Sequence, residues 1–298
     1  MCMTVNRIIP LTDRGVLAIH GPETRSFLQG IITNDIARVD RTRSIYAALL
    51  TPQGKFLFDF FIHDDGGDGV LLETAADRMA DLARRLTLYK LRSKATIEDV
   101  SETMGVTALI GPEAAAAVKL YPGAGNAWRN GASVSCIDPR LAALGARVVH
   151  PRAEPPAPAG FAHGTLEDYQ AHRLALAVPE GGSDVLIEKS FILESNFEEL
   201  NAVDFSKGCY VGQELTARTK FRGTIRRRLF GVTGDGALPP PGTPITAGSA
   251  EIGEMRSARD GQGIALIRTD RLEEAGADAV LSAGGVTITP RKPDWASF

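Results

Sequence analysis

The hydrophobic pattern of the chain changes near residue 222. Before about residue 200, strand-like apolar runs alternate with short helical patterns, whereas after Arg222 strand and turn patterns remain with one short helical interruption. The first pattern is typical of sheets covered by helices, and the second is typical of a small barrel or sandwich. The sequence therefore predicts an α+β region followed by an all-β C-terminal unit, residues 221–298.

The α+β region contains two groups of strands and helices. The stretch YAALLTPQGKFLFDFFIHDDGGDGVLLETA predicts three strands joined by turns, and it is followed by a helix with Met79, Leu82, Leu86 and Tyr89 on its apolar side. With a second strand pair and a second helix, the predicted elements follow a βαββαβ-like order, which is typical of ferredoxin-like units. The segment PRAEPPAPAG has four prolines in ten residues and predicts a stiff linker.

Two helix starts can be placed from local spacing. Thr74 precedes Asp77, and Thr165 precedes Asp168, by the three residues of a capping box. In that motif the threonine hydroxyl and the acidic side chain satisfy backbone N–H groups that the helix leaves without partners. We therefore expect a capped helix after each threonine.

The cysteine count excludes several kinds of site. The chain has three cysteines, Cys2, Cys136 and Cys209, with no CxxC pair, no Cys/His cluster and no closely spaced even set. A zinc site, a cysteine-ligated cluster and a disulfide framework therefore have no support, and no metal site is predicted. Cys209 is a lone thiol whose surroundings must explain it.

Charge and hydropathy limit the partners and the location. The 33 basic and 36 acidic residues give a net charge of −3, so the chain as a whole does not attract nucleic acid or an anionic membrane, and any anion site must be local. The N-terminus lacks the pattern of a secretory signal, and no run of about 18 apolar residues occurs. We therefore predict a cytoplasmic protein without a membrane or nucleic-acid partner.

The lone thiol lies in the stretch KGCYVGQE. Gly208 and Gly212 permit tight or left-handed backbone on both sides of it, and Lys207 lies close enough in sequence to stabilise a thiolate. Both a nucleophilic cysteine and a small buried hydrophobic cysteine agree with this spacing. The candidate motif consists of Lys207, Gly208, Cys209, Tyr210, Gly212, Gln213 and Glu214.

A basic run follows the motif. The stretch RTKFRGTIRRR has six basic residues in eleven, and if it forms a strand, Arg222, Arg226 and Arg228 face one side. Such a face is either a solvated surface or a local trap for carboxylates and phosphates, which arginine binds with its fork of donors.

Two acidic residues lie among apolar neighbours. Asp59 is inside KFLFDFFIH, and Glu194 is inside SFILESNFEEL. A carboxylate in such surroundings needs a partner, a water-filled pocket or a shifted pKa. Structural pairing and functional use of Asp59 are both open at this point.

The stretch KGCYVGQE resembles the signature of the folate-binding YgfZ family, whose mitochondrial relatives serve iron–sulfur cluster assembly. The likeness extends over nearly the whole chain, through FLQGIITND and LLTPQGKFLFD near the start and RRLFGV, PGTPI and IGEMRS near the end. A more remote similarity is to the T-protein, the aminomethyltransferase of glycine cleavage.

This resemblance implies an α+β fold of three subdomains set in a ring around a central opening that binds tetrahydrofolate or a derivative. It implies a discontinuous first domain, residues 1–46 plus 160–220, which carries the folate site and the KGCYVGQE motif. The ferredoxin-like unit, residues 47–159, is inserted into this domain. The β-barrel, residues 221–298, then closes the ring.

The resemblance also implies roles for single residues. Glu194 resembles the carboxylate that holds the pterin ring, since a carboxylate can accept two parallel hydrogen bonds from the ring. Arg173 resembles an arginine that opens an RxxxGxP block, although Ala177 replaces the glycine. Asp59 lies where T-proteins carry paired acids, but the preceding residue is Phe58, which argues against full aminomethyl transfer because a transferase needs a positioned acid or base.

The remaining implied roles concern the basic run and the thiol. Arg222, Arg226 and Arg228 are predicted to pair with the glutamate tail of folate, and Cys209 is predicted to serve transient redox or sulfur and iron chemistry with partner proteins. The expected function is that of a folate-binding accessory factor for assembly or repair of iron–sulfur enzymes. A folate-dependent one-carbon transferase is the alternative, and an RNA-binding or RNA-modification factor is a weaker one.

Overall fold

The structure is a computed structural model that describes residues 5–298. Cys2 therefore lies outside the described residues. The strands of residues 5–212 are β1 (Arg7–Pro10), β2 (Arg14–His20), β3 (Ile45–Leu50), β4 (Phe56–Asp64), β5 (Val70–Ala75), β6 (Thr96–Asp99), β7 (Met104–Ile110), β8 (Ala127–Asn130), β9 (Ser133–Ile137), β10 (Ala146–Pro151) and β11 (Ala162–His163). The helices of the same region are α1 (Thr24–Gln29), α2 (Met79–Lys90), α3 (Ala114–Ala117) and α4 (Leu166–Ala175), with short 3-10 turns at Ile36–Arg38, Ala76–Arg78 and Ala142–Leu144.

The C-terminal region begins with a helix and continues as strands. Its elements are α5 (Gln213–Arg222), β12 (Arg227–Gly234), β13 (Pro244–Ala247), β14 (Ala250–Arg259), β15 (Gln262–Arg268), α6 (Thr269–Ala275), β16 (Leu281–Ala283) and β17 (Val286–Arg291). The strands close into a barrel in the order β12-β15-β14-β13-β16-β17, because β17 pairs again with β12. The predicted all-β unit and its short helical interruption, α6, are confirmed.

Two sheets form the rest of the molecule. One has five strands in the order β3-β4-β5-β2-β6, and the other has six in the order β11-β1-β7-β10-β9-β8. Helix α2 covers the first sheet with buried Met79, Leu82 and Leu86, as the helical spacing predicted. The α+β class of the prediction is confirmed.

The sheets cross the predicted boundary at residue 46. That boundary falls inside β3, and β2 pairs directly with β5, while β1 pairs with β7. The N-terminal segment therefore shares hydrogen-bonded sheets with the predicted inserted unit, and the division into three domains stays a prediction.

The two capping predictions have different outcomes. Thr165 caps α4, because its hydroxyl accepts from the Asp168 N–H and the Asp168 carboxylate accepts from the Thr165 N–H. Thr74 does not cap α2, because its hydroxyl donates to the Asp59 carbonyl at 2.8 Å and a 3-10 turn precedes the helix.

A buried ion network joins the two sheets. Glu73 on β5 accepts from Arg14 at 2.8 Å and also pairs with Arg147 on β10. Arg147 and Arg140 both contact Asp138, and both donate to the Tyr169 hydroxyl at 2.8 Å. All members are buried. The network therefore fixes β5, β10 and α4 against one another.

A shared hydrophobic core connects the first sheet to the barrel. Tyr46 on β3 packs against Phe61 and against Phe197, which follows α4, and the same cluster includes Leu229 and Ile264 of the barrel. The long segment between α4 and α5 thus lies between sheet and barrel. In residues 5–298, no helix combines the length and the apolar character needed to cross a membrane.

Candidate functional site

Cys209 lies on an exposed loop that leads into α5. Its thiol is exposed, whereas Cys136 on β9 is fully buried. Gly208 and Gly212 have φ of 93° and 84°, which side chains disfavour. A Cβ on Gly212 would also lie 2.5 Å from the Thr51 carbonyl oxygen, so only glycine fits there. The loop is therefore shaped by its glycines.

Lys207 fastens this loop to the end of α1. Its ammonium group donates to the carbonyl oxygens of Gln29 at 2.7 Å and Ile32 at 2.5 Å, and the Gln29 amide donates back to the Lys207 carbonyl. Burial lowers the pKa of Lys207 to about 8. The hydrogen bonds of the lysine thus go to backbone carbonyls, so its first role is to position the loop.

Asp204 provides a second attachment. Its N–H donates to the Thr33 carbonyl, its carboxylate accepts from the N–H and hydroxyl of Ser206, and it pairs with Arg38. Although burial opposes this, the bonds from Ser206 and the charge of Arg38 hold the pKa of Asp204 below its usual range. Both ends of the loop before Cys209 are therefore braced by residues 29–38.

An open groove of about 610 Å³ lies beside the thiol. It is lined by Cys209, Tyr210, Gln213, Glu214, Ala217, Arg218, Phe221 and Arg222. The Phe221 side chain is 69% exposed, and Glu214 pairs with Arg218 along the helix at 2.8 Å. The buried Tyr210 also lines the groove, and burial raises the pKa of its phenol to about 12. The groove thus combines an accessible thiol with an apolar wall and mixed charges.

Glu194 lies half-buried in the segment between α4 and the cysteine loop. Burial raises the pKa of this carboxyl, against the opposing charges of Arg227 and Lys55. Lys55 donates to the Lys189 carbonyl at 2.8 Å and lies over the Phe191 ring. Within residues 5–298, the Glu194 carboxylate has no hydrogen bond or ion pair. It is therefore available as an acceptor for a ligand.

Asp59 lies buried on β4 and accepts from the Tyr46 hydroxyl at 2.7 Å. Its other oxygen faces Gly181, where a Cβ would come within 2.0 Å. Glycine at position 181 thus lets that turn approach the carboxylate. Asp59 and Glu194 occupy different local environments, one with a phenol partner and one without a partner.

Arg173 on α4 is buried and holds the turn that follows the helix. It donates to Asp184 at 2.8 Å and to the Val178 carbonyl at 3.1 Å. Ala177, at the position of the expected glycine, has φ of 54° and so adopts the left-handed backbone despite its side chain. These contacts give Arg173 a positioning role in this turn.

The structure does not bring the three predicted tail-binding arginines together. Arg222 ends α5 and lines the cysteine groove, so the strand parity assumed for the basic run does not apply to it. Arg226 and Arg228 line a separate cavity of about 650 Å³ with Lys220 and Lys292. Arg228 is already paired with Glu199 and donates to the Leu193 carbonyl.

Two parts of the chain match known families. Residues 7–124 match the family described as GCVT N-terminal domain, and residues 226–298 match the family described as CAF17, C-terminal beta-barrel domain. The human protein named iron-sulfur cluster assembly factor IBA57, mitochondrial (Homo sapiens), is 33% identical over 304 residues, which cover 96% of this chain and 84% of that protein. The chain belongs to the IBA57 family of iron–sulfur cluster assembly factors. A mitochondrial IBA57 homolog of Neurospora crassa is 35% identical over 237 residues, covering 74% of this chain and 52% of that one.

A solved structure shows the fold. The glycine cleavage system aminomethyltransferase T from Bartonella henselae superposes with a TM-score of 0.78 at 14% sequence identity, over 99% of this chain and 87% of that chain. The likeness confirms the predicted T-protein-like fold. At this identity it shows the fold alone.

Membership of the IBA57 family settles two of the sequence predictions. The resemblance to iron–sulfur assembly factors is confirmed, while the narrower assignment to the YgfZ group stays a prediction. The cytoplasmic location is contradicted, since the names of the IBA57 relatives place those proteins in mitochondria. That prediction relied on the absence of a secretory signal, which says nothing about mitochondria.

Sequence reasoning missed the residues that brace the site. Gln29, Thr33 and Arg38 hold the cysteine loop, and the charges of Lys55 and Arg227 act on the Glu194 carboxyl. Gln29 lies in FLQGIITND, a stretch that resembles the YgfZ family, and this resemblance was the one sequence signal that could have indicated its role. In residues 5–298, no group of three His, Cys, Asp or Glu side chains is placed to hold a metal ion.

Proposed function

We propose that this chain is a tetrahydrofolate-binding accessory factor for the assembly or repair of iron–sulfur proteins, with the Cys209 thiol as its reactive group. The observation that carries the proposal is the exposed thiol on a loop braced by α1 and set beside an open groove. A thiol held this way can meet a partner protein without any unfolding. Membership of the IBA57 family supports the iron–sulfur role.

Partner proteins are required by the chemistry of the thiol. One cysteine cannot hold an iron–sulfur cluster alone, since such clusters are held by several thiolates or related ligands. We infer that Cys209 acts together with ligands from iron–sulfur assembly or client proteins, or from glutathione. Transient sulfur, iron or redox chemistry fits an exposed thiol better than cluster storage does.

The folate part of the proposal depends on Glu194. A half-buried carboxylate without a hydrogen-bond partner in the described chain suits a ligand that presents two N–H groups side by side, as a pterin does. When bound, tetrahydrofolate supplies a reduced pterin that can carry a one-carbon unit. Glu194 would hold the ring, and the charges of Arg227 and Lys55 would favour its ionised form against the effect of burial.

Of the three arginines predicted to bind the glutamate tail of folate, we retain Arg226 for this role. Arg226 lines the cavity beside the barrel together with Lys220 and Lys292, whereas Arg228 is already paired and Arg222 lies in the other groove. We therefore expect Arg226→Ala to weaken binding of polyglutamate forms more than binding of the monoglutamate. Equal affinity of the wild type for both forms would remove this part of the proposal.

Glu194 is tested by anaerobic calorimetric titration of tetrahydrofolate into the wild type and Glu194→Gln. Binding should weaken by about 1.5–3 kcal/mol in the variant, the range for a hydrogen bond to a charged group. Glu98→Gln on the exposed strand β6 serves as the matched control and should bind normally. If Glu194→Gln binds as tightly as the wild type, the pterin site is elsewhere.

The same titration has an expected pH dependence. Because the pKa of Glu194 is raised, its carboxyl becomes protonated, and loses its acceptor role, at a higher pH than an ordinary glutamate. Affinity should therefore fall as the pH is lowered through this raised pKa. Glu194→Gln should lack that fall.

Cys209 is tested in a strain that lacks the protein. Wild type should restore the activity of cluster-dependent enzymes, Cys209→Ser should not, and Cys136→Ala should, since Cys136 is buried away from partners. Full restoration by Cys209→Ser would make the thiol structural and the proposal wrong.

A one-carbon transferase is the alternative, and it is less well supported. A transferase needs a free acid or base beside the folate nitrogen, whereas Asp59 already accepts from Tyr46 and its neighbour is Phe58. Repeated consumption of methylene-tetrahydrofolate in the presence of candidate amines would favour the transferase over the accessory factor. Strongly salt-dependent RNA binding would be needed to support the RNA function, for which the net charge of −3 gives no reason.

A further inference from the structure

The C-terminal end of α2 and the loop after it expose both leucines and cations. Leu88 is 64% exposed and Leu91 is 82% exposed, although most large apolar side chains of this sheet and helix are buried. Leu91 ends the helix with φ of 48°, a backbone that a leucine adopts at a cost. We call residues 84–94 the leucine–arginine tip.

The tip carries a strong local charge in a chain whose net charge is −3. Its cations are Arg84, Arg85, Lys90, Arg92 and Lys94, and no Asp or Glu occurs from residue 82 to residue 97. Arg84 is paired with Asp81 at 2.8 Å. The other four cations have no ion pair within residues 5–298. Glu23 lies next to the tip, since its carboxylate accepts from the Lys94 N–H at 2.9 Å, and the tip keeps an excess of positive charge although the chain as a whole is acidic.

The leucines and the cations lie together at the C-terminal end of α2 and in the loop after it. Arg84 and Leu88 are four residues apart on α2, which places them on one helix face, and Leu91 comes directly after the last helical residue, Lys90. The opposite face is occupied, because Leu82 and Leu86 are buried against the sheet. The exposed end of α2 therefore carries two apolar side chains close in sequence to the exposed cations Arg84, Arg92 and Lys94.

We propose that the leucine–arginine tip docks the protein on anionic lipid headgroups, with Leu88 and Leu91 entering the boundary between headgroups and acyl chains. Lysine and arginine around a few exposed leucines are typical of helices that lie on anionic membranes. Protein interfaces instead favour aromatic residues and are poor in lysine, and their dominant contacts are rarely leucine. Single-stranded RNA would need exposed aromatic rings for stacking, and Tyr89, the one aromatic side chain of the tip, is half-buried.

This inference is independent of folate binding and of the chemistry of Cys209. The expectation that no membrane partner exists relied on net charge and on the absence of an apolar span. A peripheral contact needs neither. The binding would be weak and reversible, as for other surfaces with few inserted side chains.

The test is co-sedimentation of the full chain with vesicles of phosphatidylcholine alone and with one third phosphatidylglycerol. Wild type should bind only the anionic vesicles. Each cation near such a surface contributes about fivefold in affinity, so Arg92→Glu with Lys94→Glu should weaken binding at least tenfold. Leu88→Ser with Leu91→Ser should also weaken it at least tenfold, since the inserted apolar surface is lost.

Controls separate the possible outcomes. Val280→Ser removes an exposed apolar side chain of the barrel region that is 70% exposed and should leave vesicle binding unchanged. Circular dichroism of each variant checks that it is folded. Equal sedimentation with neutral and anionic vesicles, or none with either, would overturn the proposal. The proposal would also be overturned if the protein bound single-stranded RNA more tightly than anionic vesicles and the leucine substitutions did not change RNA binding. The tip would then be a nucleic-acid-binding surface.

Discussion

Two polar regions of the molecule use similar residues in opposite ways. The ion network of Arg14, Glu73, Arg147, Asp138 and Arg140 lies between the sheets, and each of its carboxylates contacts two arginines. The Cys209 loop and Glu194 lie nearer the surface, and there the thiol and the carboxylate lack partners in the described chain. Charges that are matched inside the fold stabilise it, whereas groups without partners nearer the surface are able to bind another molecule.

Electrostatics shows the same contrast. Despite complete burial, Arg147 and Arg14 hold the pKa of Glu73 well below its usual range, because its charged form is doubly paired. For Glu194, burial is the dominant influence and its pKa is raised. The Glu73 carboxylate thus stabilises the fold, whereas the Glu194 carboxylate can still accept hydrogen bonds from a ligand.

The largest expected effect is from Glu73→Gln, which removes the ion-pair partner of buried Arg14 and leaves buried Arg147 with Asp138 alone. Breaking a buried ion pair typically costs about 3–5 kcal/mol. Urea denaturation at pH 7 measures this loss, and Glu98→Gln on the exposed β6 should change the unfolding free energy by less than about 0.5 kcal/mol. A loss below about 1 kcal/mol would mean that the network contributes little.

The pH dependence of the same variant has a defined sign. The folded-state pKa of Glu73 is depressed, so its contribution is present above the unfolded value and is lost as the pH falls through the folded one. Wild type should therefore lose stability in acid more steeply than Glu73→Gln. Parallel curves would contradict this assignment.

A smaller effect is expected from Gly212→Ala, at the start of α5. The substitution meets both a φ of 84° and the Thr51 carbonyl, and such strain costs about 1–3 kcal/mol. Gly208→Ala is the matched control, because its φ is 93° but no atom lies within 4 Å of the added Cβ. Gly212→Ala should therefore be the more destabilising of the two, and equal losses would show that the contact with Thr51 is unimportant.

Lys207→Met should cost about 1 kcal/mol, since the two carbonyls at the end of α1 lose a donor. Because the pKa of Lys207 is about 8 in the fold, the unfolded chain binds more protons above that pH. Wild-type stability should thus rise with pH between 8 and the ordinary lysine pKa, and Lys207→Met should lack this rise. Denaturation across that pH range is the measurement. If the unfolding free energies of the wild type and Lys207→Met changed equally with pH, a buried Lys207 amine would be contradicted.

The sequence predicted the parts of this molecule that depend on local pattern. Apolar periodicity placed α2 and the barrel, because burial on one face leaves a repeat in the residues themselves. The spacing of Thr165 and Asp168 predicted a real cap, yet the same spacing at Thr74 did not. There the hydroxyl has a competing acceptor, the Asp59 carbonyl, on a neighbouring strand, which local spacing cannot reveal.

The sequence singled out the cysteine of the candidate site, which stays a prediction, but it did not indicate the contacts that hold the cysteine loop. Cys209 was singled out by its glycines and its lysine, but the contacts of Lys207 with Gln29 and Ile32 join residues far apart in the chain. The parity argument for Arg222 failed because α5 extends to that residue, and a helix does not alternate its faces. Long-range contacts of this kind leave no periodic signal.

The smallest expected effect on stability is that of Cys209→Ser, and it distinguishes the cysteine loop most clearly from the buried ion network. Cys209→Ser should change the free energy of unfolding by less than about 0.5 kcal/mol, because an exposed thiol has little packing to lose. Burial raises the pKa of the Cys136 thiol, so Cys136 should resist alkylation in the folded chain, while Cys209→Ser should remove one fast-reacting equivalent. Two results would contradict this: a loss of more than about 1 kcal/mol in Cys209→Ser, or an unchanged number of reactive thiols. Cys209 would then stabilise the folded structure, as Glu73 does. The distinction between matched interior charges and available surface groups would then not extend to Cys209.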